Sequence, residues 1–408
     1  MDVNRFLIAV ACTLTLSACG NSKSVNSVFP ENGNVDASVC KGQTIESRYI
    51  VQWESGEFTV ESADNVESFK TNFIEPQLAA IRHVEYDRVF EIASSPSLQP
   101  QSLDDWNVER VNLQELWQQG YYGQGVIVGV VDSHVEVNHP QLVRQIAFNT
   151  NEIPNNGIDD DKNGVVDDYS GAIFLSGPPS TRPVSQHGTH VTGTIVADHD
   201  AGDVKGAAPR AKFVSAQFLT DDGGGYLGDA VLALQYAASR GARIINASWG
   251  GAPCVDSLRN AFVNLEQRGV LVVVAAGNEG KDIDYSPQYP ASFNLPLQIT
   301  VGASTELDIM AGWSNSGFSS VHLAAPGSNI FSTVPTGTAY FDGTSMAAPL
   351  VSGVAAALWS ARPQATAYDI KRAILESVVV SPNREFKTIT RGRLDASRAL
   401  KRLTELLP

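Results

Sequence analysis

The chain of 408 residues is poor in several features that would settle its class early. It has 4 cysteines, and their positions leave at most one bridge. Cys12 lies inside an amino-terminal apolar segment and Cys19 at its end, so only Cys40 and Cys254 remain, far apart and in different predicted regions. Basic charge is also scarce: 29 Lys and Arg stand against 44 Asp and Glu, a formal net charge of -15, which argues against gripping nucleic acid through its phosphates. Beyond the amino terminus no stretch is apolar for long enough to span a bilayer. No internal repeat is visible, and the absence of a His-Glu-x-x-His spacing removes one route to a zinc hydrolase.

The first segment that is present has the marks of an export signal. Residues 1–18 carry one arginine, Arg5, then an apolar run over residues 6–16, then small residues. The run is too short for a spanning helix and has a cleavage site behind it. Its ending, Leu16-Ser17-Ala18-Cys19, resembles a bacterial lipobox. That resemblance implies cleavage before Cys19, acylation of its thiol, and a tether to the cell envelope outside the cytoplasm. An ordinary secretory signal with an incidental cysteine is the alternative. Residues 19–46, rich in Ser, Asn, Gly and Val, read as a linker from this anchor.

Order is expected from residue 47. Residues 47–53 alternate as a strand, 63–81 read as helical despite Pro76, and 83–92 alternate again, so that 47–93 form a small α/β region. Residues 94–104 are a Ser/Pro/Gln spacer and a natural boundary. Beyond it, 105–408 are long enough for one large core. Apolar runs at 126–131, 212–218, 243–248 and 270–275 predict buried strands, and 227–240 and 255–268 predict helices between them. The fold class is therefore α/β, a doubly wound and mostly parallel sheet with helices on both faces. In such a sheet the loops that carry chemistry gather at the carboxyl edge.

Three segments deliver reactive side chains to that edge. The 126–131 strand ends in Asp132; His187-Gly188-Thr189-His190 opens a helix of small residues; Phe341-Asp342-Gly343-Thr344-Ser345 places a hydroxyl before a predicted helix over 346–360. A serine before a helix is commonly a cap, but a nucleophile needs a base and the base an orienting carboxylate, and this chain offers both. With these segments in the order Asp, His, Ser, residues 105–400 resemble the subtilase family of serine proteases. The resemblance implies a subtilisin-like serine endopeptidase with Ser345 as nucleophile, His187 as base and Asp132 as orienter, acting on protein or peptide substrates without a catalytic cofactor. It implies further that Asn278, in Ala276-Gly277-Asn278-Glu279-Gly280, donates to the oxyanion, and that Ser248, Trp249, Gly250, Ala275, Ala276 and Gly277 wall the substrate cleft. Gln288 is a candidate for the pocket floor. The small α/β region resembles the family's inhibitory propeptide; a permanent structural domain is the alternative. A monomer is expected.

Between Asp132 and His187 lies a long segment centred on Asp159-Asp160-Asp161-Lys162-Asn163-Gly164-Val165-Val166-Asp167-Asp168. From Asp159 it follows the calcium-loop pattern Asp-x-Asp-x-Asn-Gly, but Ser170 stands where an EF-hand would carry a bidentate glutamate. The expectation is a partial structural calcium site with Asp159, Asp161, Asn163 and Val165 as ligands and Asp167 or Asp168 finishing the shell, against a solvated acidic turn. His190 reads as a packed residue, and His139 as a structural part of the loop after Asp132. Two other functions stay open: a catalytically silent lipoprotein of the same fold, and an esterase or ligase using the same three groups.

Overall fold

The computed structural model describes residues 23–29, 43–91, 105–176, 185–220, 223–252, 255–380 and 386–408. Cys19, Cys40, Cys254 and the 94–104 spacer lie outside the described residues. In chain order the strands are β1 (Gln43–Trp53), β2 (Phe58–Ser62), β3 (Ile81–Glu91), β4 (Ile127–Asp132), β5 (Gly171–Ile173), β6 (Lys212–Gln217), β7 (Gly224–Tyr226) and β8 (Ile244–Ala247). They continue as β9 (Leu271–Ala275), β10 (Gln298–Ser304), β11 (Leu323–Pro326), β12 (Ile330–Val334), β13 (Gly337–Phe341), β14 (Val379–Val380) and β15 (Gly392–Arg393).

The main sheet runs β14-β15-β11-β10-β9-β8-β4-β6-β5. Its pairings are parallel except β14 with β15. Successive side chains on a strand face opposite ways, and here both faces are apolar. Val128 and Val130 of β4 and Leu271 and Val273 of β9 enter one core. Val131, Val272 and Val274 enter the other. Helices cover both faces: His187–Val196 and Thr344–Ala361 on the first, Leu227–Ser239 and Asp256–Gln267 on the second. β4 has β6 on one side and β8 on the other. The direction of winding reverses there, so a crevice opens at the carboxyl end of β4, where Asp132 sits.

Residues 43–91 carry their own smaller core. Tyr49, Val51, Phe69, Ile74, Ile81 and Val84 fill it, with Tyr49 and Phe69 stacked at 3.9 Å. The expected helix over 63–81 is broken into Val66–Phe69, a π-helical Lys70–Ile74 and Glu75–Gln77. Pro76 has no N–H for the carbonyl four residues back, and the wider turns stand just before it. The stretch read as a linker is partly structured: Val28 and Phe29, following a turn at Val25–Val28, are buried in the same core, and β1 starts at Gln43.

The two regions share a sheet. β3 pairs antiparallel with β1 and also with β7, an edge contributed by the main domain, in the order β2-β1-β3-β7. Contrary to the expectation that nothing beyond the amino terminus could span a bilayer, Thr344–Ala361 is long and apolar enough by length and composition, but 83% of it is buried in protein.

Candidate active site

Asp132 is the last residue of β4 and is fully buried. Its Oδ1 accepts the Ser133 N–H at 2.7 Å and lies 2.7 Å from His187 Nδ1; Oδ2 is buried without a partner among the described residues. His187 opens the His187–Val196 helix. That helix end can come so close because its second residue is glycine. A Cβ on Gly188 would stand 2.5 Å from the Ser133 carbonyl oxygen and 2.7 Å from that of His134. In its place the Gly188 N–H donates to Ser133 Oγ at 3.0 Å, and the Ser185 and Ser133 hydroxyls lie 2.9 Å apart. Burial drives the His187 pKa down, yet the charge of Asp132 and its hydrogen bond outweigh this and leave it raised above 6.5. With Nδ1 held by the carboxylate, Nε2 has no partner among the described residues.

Ser345 stands in the first turn of Thr344–Ala361, which packs against the His187–Val196 helix through small side chains. Its hydroxyl donates to the Ser248 carbonyl at 2.9 Å and forms no hydrogen bond with His187. Ser248 answers through its own hydroxyl, which donates to the Ser345 carbonyl at 2.9 Å. Pro349 explains why that carbonyl is available. Four residues on, where the helix would supply an N–H, proline has none, and Ser248 Oγ supplies the donor. Free catalytic groups are often out of line before substrate arrives, and rotation about one side-chain bond would redirect this hydroxyl.

Asn278 follows β9 by three residues. Its Oδ1 accepts from both the backbone N–H and the hydroxyl of Thr344 at 2.9 Å, and the Gly277 N–H donates to that hydroxyl at 3.0 Å. With the oxygen so held, Nδ2 has no partner among the described residues and lies beside Gly343, 3.6 Å from where a Cβ would be. An amide donor is thus fixed next to the serine turn.

The proposed cleft residues are less alike than their motifs suggest. Gly250 and Gly277 are half-buried and offer surface, whereas Ser248, Ala275 and Ala276 are buried. Trp249 turns its indole into the core, where Nε1 donates to the Val131 carbonyl at 2.9 Å, so it offers the cleft main chain rather than a ring. Gln288 is half-buried in the turn that precedes Ala291–Phe293. Among the other histidines, His190 is fully buried, stacks on Phe341 at 4.4 Å and approaches the Ile330 and Ala339 carbonyls; burial lowers it to about 3, so it is neutral at working pH. His322, to which the sequence gives no partner, receives the Thr300 N–H on Nδ1 and faces the Lys371 amine.

In the acidic segment Asp159, Asp161 and Asp167 do not meet as a cluster of three carboxylates. Asp159 accepts the Asn163 and Gly164 N–H groups, Asn163 Oδ1 the Val165 N–H, and Asp167 turns to Asn156 and Gly157. Instead Glu152, Asp161 and Asp168 bring one carboxylate oxygen each within 4.8 Å of one another. Glu152 Oε2 is buried there without a partner among the described residues. Hard oxygens at this separation suit the shell of a calcium ion, whose ligand bonds of roughly 2.5 Å place opposite oxygens about 5 Å apart. Asp168 is one of the two residues expected to finish the shell, whereas Glu152 had no signal in the pattern, because it falls outside the loop spacing. Thr344 was missed too, although its place beside Ser345 could have shown it.

Comparison with known proteins gives the same direction. Residues 123–398 match the subtilase family. The chain is 32% identical over 288 residues to the major intracellular serine protease of Bacillus subtilis strain 168, covering 70% of this chain and 81% of that protein. It is 31% identical over 352 residues to subtilisin E of the same strain, covering 81% and 84%. Fervidolysin of Fervidobacterium pennivorans is 33% identical over 306 residues, 66% of this chain but 39% of that longer protein.

Proposed function

Since the chain belongs to the subtilase family and is a serine endopeptidase, we propose that it hydrolyses peptide bonds through Asp132, His187 and Ser345 by way of an acyl-enzyme. The observation that carries this reading is the 2.7 Å contact between His187 Nδ1 and Asp132, which commits one nitrogen and leaves Nε2 to take a proton. Ser345 attacks the peptide carbonyl as His187 removes its proton. Asp132 fixes the imidazole tautomer and stabilises the imidazolium, which then protonates the leaving amine. Asn278 Nδ2 and the Ser345 N–H receive the developing negative oxygen. Water repeats the sequence to release the acid.

The 43–91 region acts in this reading as an inhibitory propeptide, supported by the pairing of β3 with β7, the edge strand of the main domain that leads directly into Leu227–Ser239. Cys19 carries a lipid, which places the protein at the cell envelope outside the cytoplasm. Glu152, Asp161 and Asp168 hold a structural calcium ion that takes no part in the reaction.

Fluorophosphonate labelling of the mature protein, compared with Ser345→Ala, tests the central claim. Labelling of the wild type alone, together with casein cleavage, is expected. Labelling without peptide cleavage would point to an esterase, and no labelling to a silent binding protein.

A further inference from the structure

The turn that carries Asn278 is held by a residue distant in sequence. Asn315 is fully buried, and its carboxamide spends both ends on this turn. Nδ2 donates to the Ala276 carbonyl at 3.0 Å and to Glu279 Oε2 at 2.6 Å. Oδ1 accepts the N–H groups of Glu279 at 3.2 Å and Lys281 at 2.9 Å. Its backbone N–H donates to the Gly277 carbonyl at 2.9 Å. The bonded groups lie on both sides of Asn278, and none is Asn278 itself. Gly277 adopts φ +100°, and a Cβ there would stand 2.4 Å from Asn315 Nδ2, so glycine lets the turn lie directly on the amide.

Asn315 is itself anchored. The Ser314 hydroxyl donates to its carbonyl at 3.0 Å and accepts the Ala303 N–H at 2.9 Å, which ties the clamp to β10. The surrounding chains are also joined, Gly280 N–H to the Trp313 carbonyl and Ser316 N–H to the Lys281 carbonyl. Only a carboxamide serves at this position. Aspartate would set lone pairs against the Ala276 carbonyl and the Glu279 carboxylate, and alanine would leave four polar groups without their partner.

We propose that Asn315 is a positioning residue for the oxyanion hole, fixing the main chain from which Asn278 projects while Thr344 fixes the plane of its amide. This rests on the reading of Asn278 as oxyanion donor. A donor displaced by a fraction of an ångström loses its bond in the transition state more than in the ground state, so the loss should fall on kcat.

The test is a double-mutant cycle on the full chain, with a p-nitroanilide peptide that the wild type cleaves. Removing one such donor from subtilisin, a relative, is known to cost about 10²–10³-fold in kcat, and Asn278→Ala is expected to do the same. Asn315→Ala is expected to lower kcat roughly 10–100-fold with KM within a factor of about two. In the Asn278→Ala background it should cost less than about threefold more, because the donor it positions is gone. If Asn278→Ala lowers kcat and the two losses multiply, or Asn315→Ala leaves kcat unchanged, the positioning role is overturned while the oxyanion reading stands. If Asn278→Ala leaves kcat unchanged, the oxyanion reading fails first. Should Asn315→Ala not fold, Asn315→Ser, which keeps one hydroxyl for the turn, goes through the same cycle with the same expected split between kcat and KM.

Discussion

The main domain and the amino-terminal region each own a sheet, but they cover its faces differently. The main sheet is closed on both sides by helices of the same domain, through aliphatic residues with almost no exposure. The smaller sheet closes one face with its own aromatics and leaves the other to the main domain, where Ile50 and Phe58 join the second core. Around that apolar contact the join is made by hydrogen bonds, some between neutral groups, as from the Phe58 N–H to Gln235 Oε1 at 2.9 Å and from Asn260 Nδ2 to Gln52 Oε1 at 3.0 Å, and others to charged ones. Glu85 Oε1 accepts the Ser257 N–H at 2.6 Å and Asp87 Oδ1 the Gly228 N–H at 2.8 Å, so neighbouring outward positions on β3 cap the starts of two helices. Arg48 bridges Asp87 and Asp229. A contact that includes buried carboxyls is expected to respond to titration, which the aliphatic main core is not.

The largest expected effect falls on the main domain alone. Ser345→Ala, His187→Ala and Asp132→Asn should each reduce casein hydrolysis by about 10⁴-fold or more while circular dichroism stays unchanged, and pairs of them should cost little beyond the worst single change, as in subtilisin. If the amino-terminal region is removed by the protein's own action, intact mass should show it retained in Ser345→Ala and lost in wild type. Parental activity in His187→Ala would defeat the mechanism.

A smaller effect should be confined to the join. In the docked state burial raises Glu85 and Asp87 above their ordinary 4.5 and 3.8, despite the helix N–H groups and, for Asp87, Arg48. Around Glu85 the charged neighbours are His83, which opposes the rise, and Asp256, which adds to it. Carboxyls whose docked pKa lies above the free value bind more protons when docked. Their contribution is therefore complete below about pH 4 and is lost as pH rises through the raised values. With Ser345→Ala to keep the chain whole, hydrogen exchange in β1 and β3 should be slower at pH 5 than at pH 8 after correction for the intrinsic rate. Glu85→Gln should flatten that difference, and an unchanged pH dependence would remove Glu85 from the account.

Calcium is expected to have the smallest effect, and on the main domain only. Chelation should lower the melting temperature by a few degrees, roughly 1–2 kcal/mol for an ion at several times its Kd, and Glu152→Gln should abolish the difference. Equal melting in calcium and chelator would leave the three carboxylates as a cluster held by protein donors such as Asn149 and Arg240.

Much of this was legible from residue types. Buried parallel strands are apolar until they stop, so the ends of β4, β8 and β9, and with them Asp132, Ser248 and Ala275, can be read to within a residue or two. Asp132, His187 and Ser345 stand out because each follows such a run or opens a helix of small residues. The edge strand β7 is three residues of Gly, Gly and Tyr, which carry no alternation; it is a strand because β3 lies beside it. Asn315 sits in a Ser-Asn-Ser-Gly run that reads as any turn, and only the fold brings it to Asn278. The acidic loop shows the same limit: its local spacing offers Asp167 and Asp168 alike, while Glu152 lies outside it and meets Asp161 and Asp168 through the path of the chain.

The proline at position 349 makes the serine helix incomplete on its own. Its first turn borrows a hydroxyl from Ser248, and the serine hydroxyl in turn rests on the Ser248 main chain. Ser248 is held by Asn246, whose side chain is bound from the helix by Ser352, so the loan is secured at both ends. The transferable unit for grafting the proposed nucleophile onto another scaffold is therefore two discontinuous pieces, residues 246–248 and 343–352, and a donor helix moved without its companion strand would carry an unfilled carbonyl at Ser345 itself.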